Sequence, residues 1–209
     1  MNDRFFEQSK DKQDRIMNAA LKVFSKSNYK HASTDVIIKE ADISKGLLFH
    51  YFTNKAGLYS FLYAYCVRYI QMERAQILQN PEEDFFKRMI QVEQAYQKAS
   101  KKYPYIELFL NQAELEEEEE ILLLIQEKKK EFTNETNHIL LGTVTESEIS
   151  DRNEMMKQSL LQYTMAGIRK RYADANGFDP DTMFEEMKEH ILFLNQLFYY
   201  TRSEKGECI

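Results

Sequence analysis

Residues 33–55, STDVIIKEADISKGLLFHYFTNK, constrain the fold of this chain more than any other stretch. Ile37 and Ala41 are four residues apart, a spacing that places both side chains on one face of a helix. Asp42 is a short polar residue that tolerates the left-handed backbone region, and Ser44 is a favourable cap for the next helix. The stretch therefore predicts two short helices joined by a tight turn, a helix-turn-helix.

The predicted second helix has an N-terminal end suited to reading bases. When a helix-turn-helix binds DNA, the second helix lies in the major groove with its N-terminal residues towards the base edges. Lys45, Gly46 and Leu47 occupy those positions here. A further helix starts soon afterwards, and its free N–H groups, together with the charge of Lys55, suit a phosphate. The pattern indicates contact with double-stranded DNA.

Together with the preceding helix, RIMNAALKVFSKSNYKHAST, this stretch resembles the N-terminal DNA-binding domain of the tetracycline-repressor (TetR) family. The resemblance covers roughly residues 12–58 and rests on AALKVF, IIKEADIS and SKGLLFHYFTNKAGL. It implies an all-α fold, with a three-helix DNA-binding domain followed by a larger helical domain for effector binding and dimerisation. We expect the first domain to span residues 1–56 and the second 57–209.

The resemblance also implies four base-facing and four phosphate-contacting positions. These are Lys45, Gly46, Leu47 and Phe49 for the bases, and Thr34, His50, Tyr51 and Lys55 for the phosphates. The sequence departs from the family pattern, which usually has threonine or serine at Leu47 and tyrosine at Phe49. The loss of two hydroxyls shifts the expected readout towards thymine methyl groups. The alternative for Phe49 is a place in the core.

The charge distribution agrees with DNA contact at the N-terminal end only. The net charge is −6, which by itself argues against a polyanionic partner. Residues 1–56, however, hold ten Lys and Arg against seven Asp and Glu, whereas residues 57–209 hold eighteen against twenty-seven. The balances are +3 and −9. A basic end on an acidic body fits local contact with a duplex.

Composition and motifs argue against membrane, metal and catalytic roles. The N-terminus lacks the apolar region of a signal peptide, and no apolar run has spanning length, so we expect a cytoplasmic protein. Two cysteines and four scattered histidines form no metal-ligand pattern. The six glycines form neither GxGxxG nor GxSxG. We therefore expect no metal, no cofactor and no enzymatic activity.

The remaining chain reads as helices separated by caps and prolines. Residues 1–10 show no period and predict a mobile arm. We predict helices over 11–27, 54–79, 81–102, a short stretch from 104, 114–142, 146–174 and 180–202. The fifth of these begins with ELEEEEE, whose simplest interpretation is a solvated helix start that complements the helix dipole. Thr145 and Glu148 have capping-box spacing, Asn176-Gly177 predicts a turn, and Asp179 caps the last helix.

The last two predicted helices carry apolar stripes suited to dimerisation. On the final helix the stripe steps by three and four residues, as in a heptad seam. Its members are Phe184, Met187, Ile191, Leu194 and Phe198, and the weaker stripe before it has Met156, Leu160, Tyr163 and Gly167. We expect a four-helix interface in a homodimer, which the resemblance also implies. The alternative is a hairpin packed wholly into its own domain.

The central body supplies aromatic and methionine side chains on helices that, by resemblance, surround the family's ligand cavity. They are Tyr63, Tyr69, Phe86, Met89, Tyr96, Tyr105 and Phe109, with Glu107 as an acidic neighbour. An apolar cavity with a few polar groups is typical of small-ligand sites, so we expect an apolar or amphipathic effector. Glu107 or Glu114 leaves room for a cation. The alternative is that these residues are ordinary core.

Three functions remain open at this point. The favoured one is a homodimeric repressor that binds a palindromic operator and is released by a small effector. The second keeps the DNA-binding domain but gives the body a protein partner, which the absence of a sizeable buried cavity would favour. The third, an all-helical enzyme or carrier, is supported only by the aromatic-rich body.

Overall fold

The computed structural model of the chain describes residues 3–82, 84–141, 152–175 and 179–203. These residues form helices α1 (Asp3–Phe6), α2 (Lys10–Lys26), α3 (Thr34–Ala41), α4 (Lys45–Phe52), α5 (Lys55–Ile77), α6 (Phe85–Ser100), α7 (Ile106–Glu114), α8 (Glu119–Leu141), α9 (Arg152–Asp174) and α10 (Pro180–Ser203). The all-α prediction is confirmed. Within those ranges no helix combines the length and the hydropathy of a membrane span.

Several predicted caps and turns form as expected. Asp42 adopts the left-handed conformation, with φ of 52° and ψ of 56°. The Ser44 side chain accepts a hydrogen bond from the Leu47 N–H at 3.2 Å, and Asp179 accepts one from the Thr182 N–H at 3.0 Å. The predicted capping box at residues 145–148 and the predicted turn at 176–177 lie outside the described residues.

The prediction of a mobile arm over residues 1–10 is wrong. Residues 3–6 form α1, and Phe5 is buried, with 1% of its surface exposed. Its ring lies 5.7 Å from that of Tyr51, 5.1 Å from Phe52 and 5.3 Å from Phe61, measured between centroids. A four-residue helix is too short to display a period, so only its tertiary contacts define it.

Two helices begin four or five residues later than predicted, one because of a local cap and the other because of a buried carboxylate. The helix expected from residue 81 begins at Phe85, because Asp84 accepts from the Lys87 N–H at 2.9 Å. The helix expected from residue 114 is broken before α8. Glu116 points inward there, is 5% exposed, and accepts a hydrogen bond from the Tyr29 N–H at 2.8 Å. The acidic run is therefore not wholly solvated, and Glu116 ties the segment between α7 and α8 to the N-terminal unit.

One apolar core joins the N-terminal helices to α5, α7 and α8. The Tyr59 ring lies 5.0 Å from Phe24 of α2 and 5.1 Å from Phe109 of α7. All three side chains are fully buried. The domain division expected after residue 56 falls in the first turn of α5, which continues to Ile77. Packed rings therefore connect α2 directly to α5 and α7.

A second core lies between α6, α9 and α10. The heptad seam of α10 packs into this core. Phe184, Met187, Ile191 and Leu194 are between 0% and 8% exposed, and Phe198 packs against the same cluster. The first four therefore have little surface left to bury against a second copy, whereas Phe198 is half-buried. Because the seam packs on α6 and α9 of its own chain, it supports the alternative of an intramolecular hairpin, and the dimer interface stays a prediction.

Candidate nucleic-acid interface

The turn between α3 and α4 fixes the orientation of α4. The Ile43 N–H donates to the Ile38 carbonyl at 3.2 Å, which closes the end of α3. Leu48, Tyr51 and Phe52 are buried and hold α4 against the core. Lys45 and Gly46, two of the four positions predicted to face the bases, are left exposed to solvent. Three buried side chains on an eight-residue helix therefore hold its orientation.

The predicted base-facing residues lie together at the exposed start of α4. Lys45 and Gly46 are exposed, whereas Leu47 and Phe49 are half-buried. A Cβ atom placed on Gly46 would meet nothing within 4 Å, so this face is open. Lys45 Nζ lies 3.1 Å from Asp35 Oδ1 in a solvent-exposed ion pair. Such a pair is weak, so the lysine can leave it for a base.

The predicted phosphate-contacting residues are less uniform. His50 is exposed and Thr34 is half-buried at the start of α3. Tyr51 is only 4% exposed and packs on Phe5, so it has almost no surface for a phosphate. Lys55 is half-buried, donates to the Lys30 carbonyl at 3.3 Å and lies over the Tyr29 ring at 4.5 Å. Burial lowers the pKa of Lys55.

Sequence reasoning missed one cation at this surface. Arg4 on α1 lies with Nη1 3.4 Å from Nε2 of His50, so α1 places a permanent positive charge beside a predicted phosphate contact. The Phe5-Phe6 pair is the sequence signal that could have indicated α1, because apolar residues in a polar stretch can anchor a short helix. Arg4 thereby adds a cation beside His50 in the last turn of α4.

The α4–α5 corner, where the sequence predicts the start of a new helix, requires glycine. Thr53 has a φ of 66°, a strained region for a β-branched residue. Asn54 caps α5 by accepting from the Gly57 N–H at 2.7 Å. A Cβ atom on Gly57 would come within 2.1 Å of the Phe52 carbonyl oxygen. The tight corner therefore fixes the start of α5 close behind α4.

The residues expected to line an effector pocket divide between the two cores. Tyr63 and Phe109 are buried in the first core, where Tyr69, Tyr96 and Tyr105 pack partly buried, whereas Phe86 and Met89 belong to the second. A cleft of about 500 Å³ opens between α2 and the α6–α7 connection, with a charged lining and only Tyr105 from this set. A cavity of about 20 Å³ touches Met89. Among the described residues, neither of these two cavities brings the expected residues together.

Glu107 is engaged in a buried ion-pair triad and not free for a cationic ligand. Arg169 Nε lies 2.7 Å from a Glu107 oxygen, and Arg169 Nη2 lies 2.6 Å from Glu93. Burial, together with the neighbouring Glu93 charge, raises the pKa of Glu107 to about 7 against the pull of Arg169. The triad joins α6, α7 and α9. Glu114, the other acid considered, is exposed and pairs with Lys129.

The predicted stripe on α9 lies on the surface. Met156 is 62% exposed, Leu160 46% and Tyr163 77%, while a Cβ atom on Gly167 would meet nothing within 4 Å. On α10 the exposed apolar residues are Leu192, Phe193 and Leu197, which the heptad pattern did not include. The two helices pack on each other. Together they present apolar surface that this chain leaves exposed.

Comparisons with known proteins agree with the helix-turn-helix. Residues 16–60 match the family of bacterial regulatory proteins, tetR family. The fold is similar to a TetR family transcriptional regulator from Chloroflexus aurantiacus J-10-FL (16% identity, 93% and 95% of the two chains, TM-score 0.54). It is also similar to the fatty acid degradation regulator FadR from Bacillus halodurans (18%, 86% and 97%, 0.56) and to a TetR-like regulator from Rhodococcus sp. RHA1 (17%, 94% and 97%, 0.52). No curated protein sequence matches.

Proposed function

We propose that this chain, a transcriptional regulator of the TetR family by its DNA-binding domain and its fold, is a homodimeric repressor that a small effector releases from a palindromic operator. The observation that carries the proposal is the exposed start of α4, where Lys45 and Gly46 lie open beside a rigid turn. Two such helices related by a two-fold axis would enter successive major grooves.

Selection of binding sites from random DNA by the purified chain tests this function. We expect enrichment of an inverted repeat whose half-sites are centred about one helical turn, or a multiple of it, apart. Binding to the selected site should weaken with salt, with a log–log slope of about −0.9 for each phosphate neutralised. Recovery of no inverted repeat, with binding equal on random DNA, would contradict sequence-specific regulation.

We expect Lys45→Ala to relax base preference at one position of each half-site. A lysine at the start of a recognition helix reaches guanine O6 and N7, so its loss should reduce discrimination there by about 1–3 kcal/mol. The measurement is repeated selection, followed by binding to operators changed at single positions. Lys128→Ala, an exposed lysine of α8, is the matched control. The same consensus from Lys45→Ala would make Lys45 a backbone contact only.

We expect Phe193→Glu to weaken the homodimer. The proposed interface uses the exposed residues of α9 together with Phe193 and its exposed neighbours on α10, so the substitution buries a charge twice at a two-fold axis. The dimer dissociation constant should rise at least tenfold, or about 1.4 kcal/mol, by sedimentation. Circular dichroism should remain unchanged, because Phe193 is 58% exposed.

The matched control for the interface is Leu123→Glu, since Leu123 on α8 is 61% exposed and lies outside the proposed surface. It should leave the dimer intact. If Phe193→Glu sediments as the unmodified dimer, the interface lies elsewhere. Leu194→Glu does not test the interface, because Leu194 is buried in the second core and the charge would destabilise the fold itself.

A body that recognises a protein partner is the second candidate. Leu115, Leu123 and Leu124 are 57%, 61% and 53% exposed around the start of α8, an apolar surface in an otherwise acidic segment. Exposed apolar clusters are typical of interaction sites. Operator binding that depends on a second protein, and is lost with Leu123→Glu, would favour this candidate over release by a small effector.

A further inference from the structure

Arg74 of α5 is a buried arginine without an acidic partner. Only 1% of the residue is exposed. Its Nη1 donates to the Thr136 hydroxyl at 2.8 Å and its Nη2 to the Tyr96 hydroxyl at 3.2 Å, while Nε is buried without a hydrogen-bond partner. In the part of the chain that the structure describes, no carboxylate lies within ion-pairing distance of this guanidinium.

The acidic residues nearest in sequence to this site already have other partners. Glu73 pairs with Lys98 at 2.7 Å, Glu93 pairs with Arg169, and Glu135 accepts a hydrogen bond from Gln71. The contrast with Arg169 is direct, because both guanidinium groups lie near the Tyr96 ring, at 5.3 Å for Arg74 and 5.7 Å for Arg169. Arg169 is neutralised by two carboxylates, whereas Arg74 is neutralised by none.

Aromatic contact does not replace a counter-ion at Arg74. The guanidinium lies 4.6 Å from the Phe132 ring centre, and ring faces attract cations. The two hydroxyl acceptors engage two of the five guanidinium N–H groups, and no carboxylate of the described residues neutralises the charge. Buried charges in folded proteins are normally paired or hydrogen-bonded at every donor. The site is therefore complementary to an anion.

We propose that Arg74 binds the anionic group of an effector whose remaining part is apolar, with a carboxylate as the favoured anion. Arginine binds carboxylates through paired N–H donors, and the unpartnered Nε–H lies beside the Nη2 donor in the same fork. The inference rests on the proposed function, because it takes the body to be the effector domain. It reverses the charge expected from Glu107, whose carboxylate is occupied by Arg169.

The position of the effector's apolar part is inferred from the faces of α6 and α8 that pack near Arg74. Leu140 is one helical turn beyond Thr136, and Met89 is two turns from Tyr96, so both lie on the faces that reach Arg74. Leu140 and Met89 line the cavity of about 20 Å³ together with Phe85 and Leu161, its other lining residues are the amides Asn137, Gln158 and Gln162, and Arg74 lies outside this lining. Such a volume holds about one water molecule, so an apolar tail enters by displacing flexible side chains such as Met89.

Binding of matched eight-carbon probes to the full chain tests the inference. Octanoate, octyl sulfate, octylamine and 1-octanol are compared by calorimetry and by the shift in Tm, below micellar concentrations. We expect octanoate to bind and to raise Tm, and octylamine to do neither. Stronger binding of octyl sulfate would keep the anion site but identify sulfate-like or phosphate-like effectors. Equal binding of 1-octanol and octanoate would overturn it.

Arg74→Met and Arg74→Lys separate ligand binding from a structural role. Arg74→Met should weaken octanoate binding at least about tenfold, the effect of a lost charge-assisted hydrogen bond, whereas Arg74→Lys should retain part of it. Without ligand, Arg74→Met should unfold at a Tm no lower than the unmodified chain, because it removes an uncompensated buried charge. A lower Tm combined with unchanged octanoate affinity would make Arg74 structural. If neither variant folds, the four probes on the unmodified chain decide.

Operator measurements distinguish failure of this inference from failure of the proposed function. An effector that favours the DNA-free state must lower operator affinity by the same factor by which operator lowers effector affinity. Octanoate binding at Arg74 with unchanged operator affinity would retain the anion site and contradict effector release. Sequence-specific operator binding without affinity for any anionic probe would support the proposed regulator function and contradict anion binding at Arg74.

Discussion

Arg169→Met is expected to lower the free energy of unfolding by about 3–5 kcal/mol at pH 8, because it leaves two buried carboxylates without their cation. Glu93 and Glu107 have side chains that are 5% and 4% exposed, and both bond to Arg169 at less than 3 Å. Methionine fills much of the volume of arginine, so the loss reports charge more than packing. Urea denaturation followed by circular dichroism measures it.

The pH dependence identifies the cause of that loss. Burial raises the folded-state pKa of Glu107 from 4.5 to about 7, so its stabilising contribution is present at low pH and is lost as the pH rises through about 7. Without Arg169 the pKa of Glu107 rises further. Arg169→Met should therefore lose more stability between pH 5 and pH 8 than the unmodified chain does.

Arg171→Met is the matched control for this triad. Arg171 stands two residues further along α9, pairs with Glu186 and has a side chain that is 62% exposed. Surface pairs contribute little, so its urea midpoint should change only slightly at either pH. A loss from Arg169→Met that is equal at pH 5 and pH 8 would show that packing, and not the buried charges, accounts for it.

Phe5→Ala is expected to lower the free energy of unfolding by about 3–5 kcal/mol, although Phe5 stands four residues from the N-terminus. Its ring is buried among Tyr51, Phe52 and Phe61, so removing it leaves a cavity under α4. Urea denaturation gives the loss. Operator affinity should fall as well, because α1 holds Arg4 beside His50 and Tyr51 supports the reading helix.

The neighbouring Phe6 provides the control, since it is 40% exposed and touches the edge of the same cluster. Phe6→Ala should cost clearly less than Phe5→Ala in the same urea experiment. Equal losses would mean that α1 contributes through its helical backbone and not through the Phe5 ring. A loss below about 1 kcal/mol from Phe5→Ala is too little for a buried phenyl ring. Such a result would show that residues 3–6 form the mobile arm predicted from the sequence.

Helix-turn-helix residues were predictable because their signals are local. The left-handed Asp42, the Ser44 cap and the Asp179 cap each depend on backbone geometry within three residues, so side-chain chemistry alone specifies them. The same reasoning placed Lys45 and Gly46 on an exposed face. The phosphate contact at Tyr51 was implied by the resemblance instead, and no local pattern tells which ring a distant segment such as α1 will cover.

The sequence by itself determined an all-helical chain, the turn between α3 and α4, and a basic end on an acidic body. Only the tertiary structure decided which apolar stripe of α10 is buried, since either face of an amphipathic helix can pack on its own domain or on a second copy. The tertiary structure also decided which buried charged side chains have a partner of opposite charge. Glu107 pairs with Arg169, and Arg74 donates to Thr136, in each case a residue about sixty positions away in the sequence. Because these groups are buried, each ion pair that is formed or missing has a large effect on the free energy.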